Sequence, residues 1–263
     1  MGKHSKDKRD IYYRRAKEEG WRARSAYKLL HVDEEFDLFG GVTRAVDLCA
    51  APGSWSQVLA RRLRANAAAA GTPADDVRIV AVDLQEMAPI EGVALIQGDI
   101  TSAATAQRVL AEFREGDGER RADLVVCDGA PDVTGMHDLD EYIQAQLLLA
   151  ALAITTALLR PGGTFVAKIF RGKDVTLLYD QLKAFFPEVY VAKPKSSRTS
   201  SVEAFVVGRG FAPPPGFDAA ALMAVAAGDA ATADAGRLLF PFVACGDIGG
   251  YDDATGGAAS TGG

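Results

Sequence analysis

Short runs rich in β-branched residues alternate with longer stretches whose apolar positions recur at helical spacing, from about residue 23 to residue 211. Strands are predicted at 43–48, 77–83, 93–97, 123–127, 163–169, 188–192 and 204–208, and helices near 23–35, 54–65, 103–114, 140–159 and 174–185. This order builds an α/β fold, a seven-stranded, mostly parallel sheet with helices on both faces. Pro161-Gly162-Gly163 stops the long fourth helix before the fifth strand, as a chain reversal there requires. Two segments read as surface insertions, the Ala-rich 64–76 and the charged 115–121. The triple proline Pro213-Pro214-Pro215 marks a boundary, and 218–235 is Ala-rich without clear periodicity. The chain thus divides into an N-terminal segment (1–22), a folded domain (23–211), a C-terminal extension (212–253) and a Gly/Ala/Ser/Thr tail (254–263) expected to be disordered. No internal repeat is present.

A chain of 263 residues, 48% of them hydrophobic, has enough apolar material for one full core. Cys49, Cys127 and Cys245 are odd in number, irregularly spaced and set in apolar runs, which suggests neither a disulfide framework nor a zinc site. No metal is expected. A reducing compartment fits best; no membrane-length apolar run and no signal-peptide pattern is present, so a soluble cytoplasmic protein is expected. Charge changes the picture most. The net charge is −6, yet residues 1–28 hold ten Lys or Arg against four acids, so this end carries +6 and the remainder −12. Such asymmetry points to a polyanion met by one end of the molecule. Tyr12, Tyr13 and Trp21 lie among these cations and add flat surfaces on which bases stack.

The first chemically loaded segment is Val46-Asp47-Leu48-Cys49-Ala50-Ala51-Pro52-Gly53-Ser54-Trp55-Ser56-Gln57, where a strand turns through small residues into a helix. Small residues admit a ligand close to the backbone, and a helix start presents N–H groups to carboxylate or phosphate. The segment has neither the three-glycine dinucleotide fingerprint nor the Gly-Lys-Ser/Thr of a phosphate loop, so a different nucleotide-like ligand is expected. Acids stand at or just beyond the ends of later strands. Asp83 closes the second, where a carboxylate accepts from ribose hydroxyls; Asp99 follows the third and can accept from an adenine amine; Asp128 ends the fourth. Singly, each reads equally as a turn or cap residue; with Asp47 they fit a binding crevice.

The loop, Asp83, Asp99, the Cys127-Asp128-Gly129-Ala130-Pro131 segment and the Pro-Gly-Gly before Phe165-Val166-Ala167-Lys168 resemble the FtsJ group of RNA ribose 2′-O-methyltransferases over about 12–210. The resemblance implies a Rossmann-like methyltransferase fold and S-adenosylmethionine as cofactor. That ligand would be held by Asp47, Ala51, Pro52, Gly53, Ser54 and Trp55, by Asp83 with Leu84, by Asp99 with Ile100, and by Asp128. The family's Lys-Asp-Lys-Glu tetrad falls on Lys28, Asp128, Lys168 and Glu203. Lys168 would accept the proton leaving the ribose hydroxyl, Asp128 orient it, and Lys28 with Glu203 position the ribose. An amine of ordinary pKa, about 10.4, is a poor base at neutral pH, so this role asks for a desolvated pocket.

Residues 6–28 look closely like the eukaryotic tRNA branch of that group, which modifies anticodon-loop nucleotides 32 and 34. Lys6, Lys8, Arg9, Tyr12, Arg14, Arg15, Arg22 and Arg24, with Lys195 and Arg198 in a second basic cluster that also holds Lys193, are the expected RNA contacts. The resemblance further implies two helper proteins, one helical-repeat and one WD-repeat. The strip Phe240-Pro241-Phe242-Val243-Ala244-Cys245 and onward to Asp252 is either a docking element for them or packs on the protein itself. A ribosomal RNA enzyme of the same family, an mRNA-cap enzyme and a non-catalytic RNA-binding or assembly factor remain as alternatives.

Overall fold

The computed structural model describes residues 3–114, 120–130, 137–170, 175–197 and 201–228. Among them seven strands form one sheet: β1 (Arg44–Leu48), β2 (Arg78–Asp83), β3 (Ala94–Gln97), β4 (Ala122–Cys127), β5 (Leu159–Phe170), β6 (Glu188–Ala192) and β7 (Glu203–Arg209), in the order β3-β2-β1-β4-β5-β7-β6. The first five run parallel, and β7 lies antiparallel to both β5 and β6. The expected mostly parallel α/β sheet is therefore what forms.

Seven α-helices accompany it among the described residues: α1 (Lys3–Glu18), α2 (Ala26–Phe36), α3 (Ser54–Ala70), α4 (Ala103–Glu112), α5 (His137–Leu158), α6 (Val175–Lys183) and α7 (Ala219–Ala226). One sheet face packs on α2 and α3 through Leu29, Val32, Trp55, Leu59 and Leu63. The other packs on α4, α5, the end of α6 and α7 through Val109, Leu152, Leu182 and Leu222. Central strands buried on both faces explain why β1, for one, is apolar except for Arg44 and Asp47.

Three expectations change. The second helix, expected to end near 65, runs on as α3 to Ala70 with Leu63 and Ala67 buried beneath it, and a 3-10 turn covers Ala74–Asp76. The basic N-terminal run is helical over Lys3–Glu18 as α1, and Ala219–Ala226 of the Ala-rich stretch form α7, whose Leu222 and Met223 join the core, while 229–235 lie outside the described residues. Finally, β5 begins before the Pro-Gly-Gly. Leu159 pairs with Ala122 and Thr164 with Leu124, so 160–163 bulge outward, with Gly162 at φ 78°. Most of the 115–121 segment, the 240–252 strip and the 254–263 tail lie outside the described residues. No described helix is long and apolar enough to cross a membrane.

Candidate active site

Side chains two apart on a strand share a sheet face, and the register aligns those faces across strands. Asp47 lies two after core residue Ala45, Asp128 two after Val126, Lys168 two after Val166, and Glu203 two before Phe205, all on the α2/α3 face. Because β7 is antiparallel, its first residue Glu203 pairs with Phe170 at the carboxyl end of β5. Asp128 follows Cys127, whose partner on β5 is Ala167, and so stands level with Lys168. The order of strands reverses between β1 and β4, and it is outside the carboxyl ends at such a point that open α/β sheets bind ligands.

Lys28 completes the group from α2. Its Nζ donates to Glu203 Oε2 at 2.7 Å and lies 3.8 Å from Asp128 Oδ1. Lys168 Nζ lies 2.7 Å from Asp128 Oδ1, 3.9 Å from Glu203 Oε2, and donates to the Asp128 carbonyl at 2.8 Å. Two cations and two anions thus alternate in a closed ring, with side-chain exposure of only 9% at Lys168 and 16% at each carboxylate. Burial pushes the Glu203 carboxyl up, but Lys28, Lys168 and the Ser197 hydroxyl outweigh it and hold the group below its ordinary value. Ser197 Oγ donates to Glu203 Oε1 at 2.9 Å, and the Glu203 N–H donates to Ser201 Oγ. Behind the ring, Gln144 of α5 donates from Nε2 to the carbonyls of Lys168 at 3.0 Å and Gly129 at 3.3 Å. Gln144, Ser197 and Ser201 were not singled out as site residues from sequence. Gln144 carried no distinguishing signal, since Gln146 stands two residues on, directly ahead of the apolar run of α5.

Beside the ring, the loop after β1 carries Cys49 at φ 54° and Gly53 at φ 100°. A Cβ on Gly53 would fall 2.6 Å from Ile90 Cδ1, and at this φ any L side chain is strained whatever the space, so the position favours glycine. Asp83 ties this loop to the next: Oδ2 accepts the Ala51 N–H and Oδ1 the Gln85 N–H, both at 2.8 Å. Asp99 Oδ1 accepts the Thr101 N–H and hydroxyl, and Leu84 stands 67% exposed at the rim. Four of the residues expected to meet the ligand turn their side chains inward, which leaves only backbone groups for it. Ile100 and Trp55 join the core, with the Trp55 indole donating to the Ser25 carbonyl at 2.9 Å. Ser54 pairs its hydroxyl with that of Ser25 at 2.6 Å. Asp47 lies under α3, its Oδ2 accepting from Ser56 Oγ at 2.6 Å while Oδ1 has no hydrogen-bond partner. Burial, reinforced by Asp128 and Asp83 against the bonds from Ser56, pushes its carboxyl up to about 7.

Of the expected RNA contacts, Arg14 and Arg15 are exposed on α1 and Lys195 on the β6–β7 connection, while Arg24 is half-buried. Lys6, Lys8 and Arg9 belong to α1, and Arg198 lies outside the described residues. Tyr12 is spent on the protein, 5.2 Å from the Tyr27 ring and 5.7 Å from His31. One face of Trp21 is covered by Arg61 at 4.0 Å. Arg22 bonds carbonyl groups of the protein.

Residues 21–211 match the family of FtsJ-like methyltransferases, a span that holds the loop, the acids and the ring. The chain belongs to that family. A Homo sapiens relative named tRNA (cytidine(32)/guanosine(34)-2'-O)-methyltransferase is 58% identical over 257 residues, covering 96% of this chain and 74% of its own. One of the same name from Schizosaccharomyces pombe is 57% identical over 256 residues, covering 97% and 87%. A Plasmodium falciparum ribosomal RNA methyltransferase structure, 24% identical, superposes with a TM-score of 0.60 over 74% of this chain and all of its own, which speaks to the fold alone. An FtsJ-like methyltransferase uses S-adenosylmethionine, and the residues present suit it. Asp83 and Asp99 offer acceptors for a diol and an amine, each carboxylate oxygen having more than one acceptor site. The first turn of α3 presents N–H groups that attract a carboxylate, and Leu84 offers an apolar face.

Proposed function

We propose that this methyltransferase modifies the ribose 2′-hydroxyl in the anticodon loop of tRNA, at nucleotides 32 and/or 34, the positions in the names of its human and fission-yeast relatives. The observation that carries the chemistry is the closed ring of Lys28, Glu203, Lys168 and Asp128 beside the cofactor loop. When bound, S-adenosylmethionine supplies an activated methyl on a sulfonium, so the protein has to align the ribose and accept one proton. Lys168 Nζ, once it has given up its own proton, takes the proton from O2′. Asp128 fixes that nitrogen through both its carboxylate and its carbonyl. Lys28 and Glu203 hold the ribose against it, and the shielding of the ring excludes water. A loop nucleotide suits so recessed a site, because an unstacked ribose can be presented where one in a duplex is locked.

Arg14, Arg15 and Lys195 are the exposed cations that support phosphate contacts. The proposal extends to a cytoplasmic setting and to two helper proteins, one helical-repeat and one WD-repeat, that select between the positions. Purified protein with radiolabelled S-adenosylmethionine would be incubated with unmodified tRNA and with ribosomal RNA, alone and with lysate. The product would then be mapped by resistance to alkaline cleavage. Label at nucleotides 32 or 34 is expected; label confined to ribosomal RNA overturns the substrate, and none under either condition overturns the reaction.

A further inference from the structure

Arg22 belongs to the basic N-terminal run, where charge alone marks it as a phosphate contact. Its guanidinium is turned onto the protein instead. Nη1 donates to the Pro52 carbonyl at 3.0 Å and Nη2 to the Pro89 carbonyl at 2.7 Å. Pro52 lies in the loop after β1 with Gly53, and Pro89 in the loop that follows Asp83, the last residue of β2, and begins with Leu84. Nη1 stands 2.9 Å from where a Cβ on Gly53 would be, so the clasp sits directly on the tightest point of the cofactor loop. The segment bearing Arg22 is itself fastened to α3. Gln57 accepts the Arg22 N–H at 2.8 Å and donates to the Gly20 carbonyl at 3.2 Å. Arg61 donates to the Glu19 carbonyl at 3.0 Å.

We propose that Arg22 is a positioning residue of the cofactor site, a clasp that fixes the two ligand-bearing loops to each other before any RNA arrives. The planar fork of a guanidinium bonds two divergent acceptors at once, which an ammonium on a flexible stem does poorly. Without the clasp both loops would have to be ordered by the ligand itself, and its affinity would fall by that cost. The inference rests on the family's cofactor and not on the choice of RNA, so it stands or falls separately from the tRNA proposal.

The test compares the wild type with Arg22→Met and Arg22→Lys in two titrations. S-adenosylhomocysteine binding is measured by calorimetry without RNA, and tRNA binding by filter retention without cofactor, at a temperature where melting curves show each protein fully folded. Arg22→Met is expected to raise the Kd for S-adenosylhomocysteine by at least about tenfold, the scale of losing bonds from a charged donor. Its tRNA Kd should stay within about twofold, whereas loss of one phosphate contact would weaken tRNA and flatten its salt dependence. Arg22→Lys should recover part of the cofactor affinity and remain severalfold weaker than wild type, and it carries the test if the methionine variant does not fold. Unchanged S-adenosylhomocysteine affinity in a folded variant overturns the proposal, as does a loss confined to tRNA.

Discussion

Replacing Asp47 with Asn should change how stability depends on pH. The carboxyl is 1% exposed, with one oxygen bonded to Ser56 and the other unpartnered, and it is pushed from its ordinary 3.8 up to about 7. Between those values the folded protein keeps a proton that the unfolded chain has released. Stability from this group is therefore complete below the unfolded value and drains away as the pH rises through about 7. Three units at about 1.4 kcal/mol each set a ceiling of about 4 kcal/mol on the loss. Asn keeps an acceptor for Ser56 and cannot ionise. Urea unfolding of both cofactor-free proteins at half-unit steps from pH 4.5 to 8 singles out the group, because every titration that does not sense Asp47 cancels in the difference. The two proteins should be of similar stability near the acid end. The variant should gain steadily, at up to about 1.4 kcal/mol per unit, to be more stable by at least about 2 kcal/mol at pH 8. A difference that does not vary with pH would refute the reasoning, since it would mean that Asp47 ionises in the fold as it does in water.

Lys168→Ala should leave S-adenosylhomocysteine binding near normal and cut single-turnover methyl transfer by about 100-fold or more, the usual contribution of a general base; near-full activity would remove it from that role. Glu203→Gln leaves two buried ammonium groups facing one carboxylate and should destabilise by roughly 3 kcal/mol at neutral pH, read by urea unfolding. Because the Glu203 carboxyl is held below its ordinary 4.5, the wild type's advantage should persist above that pH and vanish as acid passes below it. Gln144→Leu removes the donor shared by the Lys168 and Gly129 carbonyls and should lower kcat more than it raises KM, while equal stability and kinetics would show that the amide positions nothing.

The periodicity of the chain made the sheet legible because parallel strands buried on both faces leave short, nearly unbroken apolar runs. The acids at their ends then stood out by contrast, as did Lys168 on an otherwise apolar strand. Lys28 and Glu203 did not stand out. Each has ordinary neighbours, and what makes them a pair is the antiparallel insertion of β7, which no local pattern encodes. The fate of Ser54, Trp55 and Asp47 was also hidden. A strand-to-helix turn rotates alternate side chains toward the ligand or beneath the helix, and which way each goes depends on the angle at Gly53. Arg22 and Tyr12 show the same limit for charge and aromaticity. Composition marks residues able to meet RNA, but packing partners already present in the fold, the carbonyls of Pro52 and Pro89 or the ring of Tyr27, claim them first.

The place of β7 also orders events in time. It sits between β5 and β6, although β6 precedes it in the chain, so the sheet's far edge is assembled only after the last strand has been made. Glu203 is that strand's first residue and reaches back across 175 positions to Lys28. A chain made only as far as β5 holds three of the ring's four members, Lys28, Asp128 and Lys168, and the fourth waits on the strand inserted last.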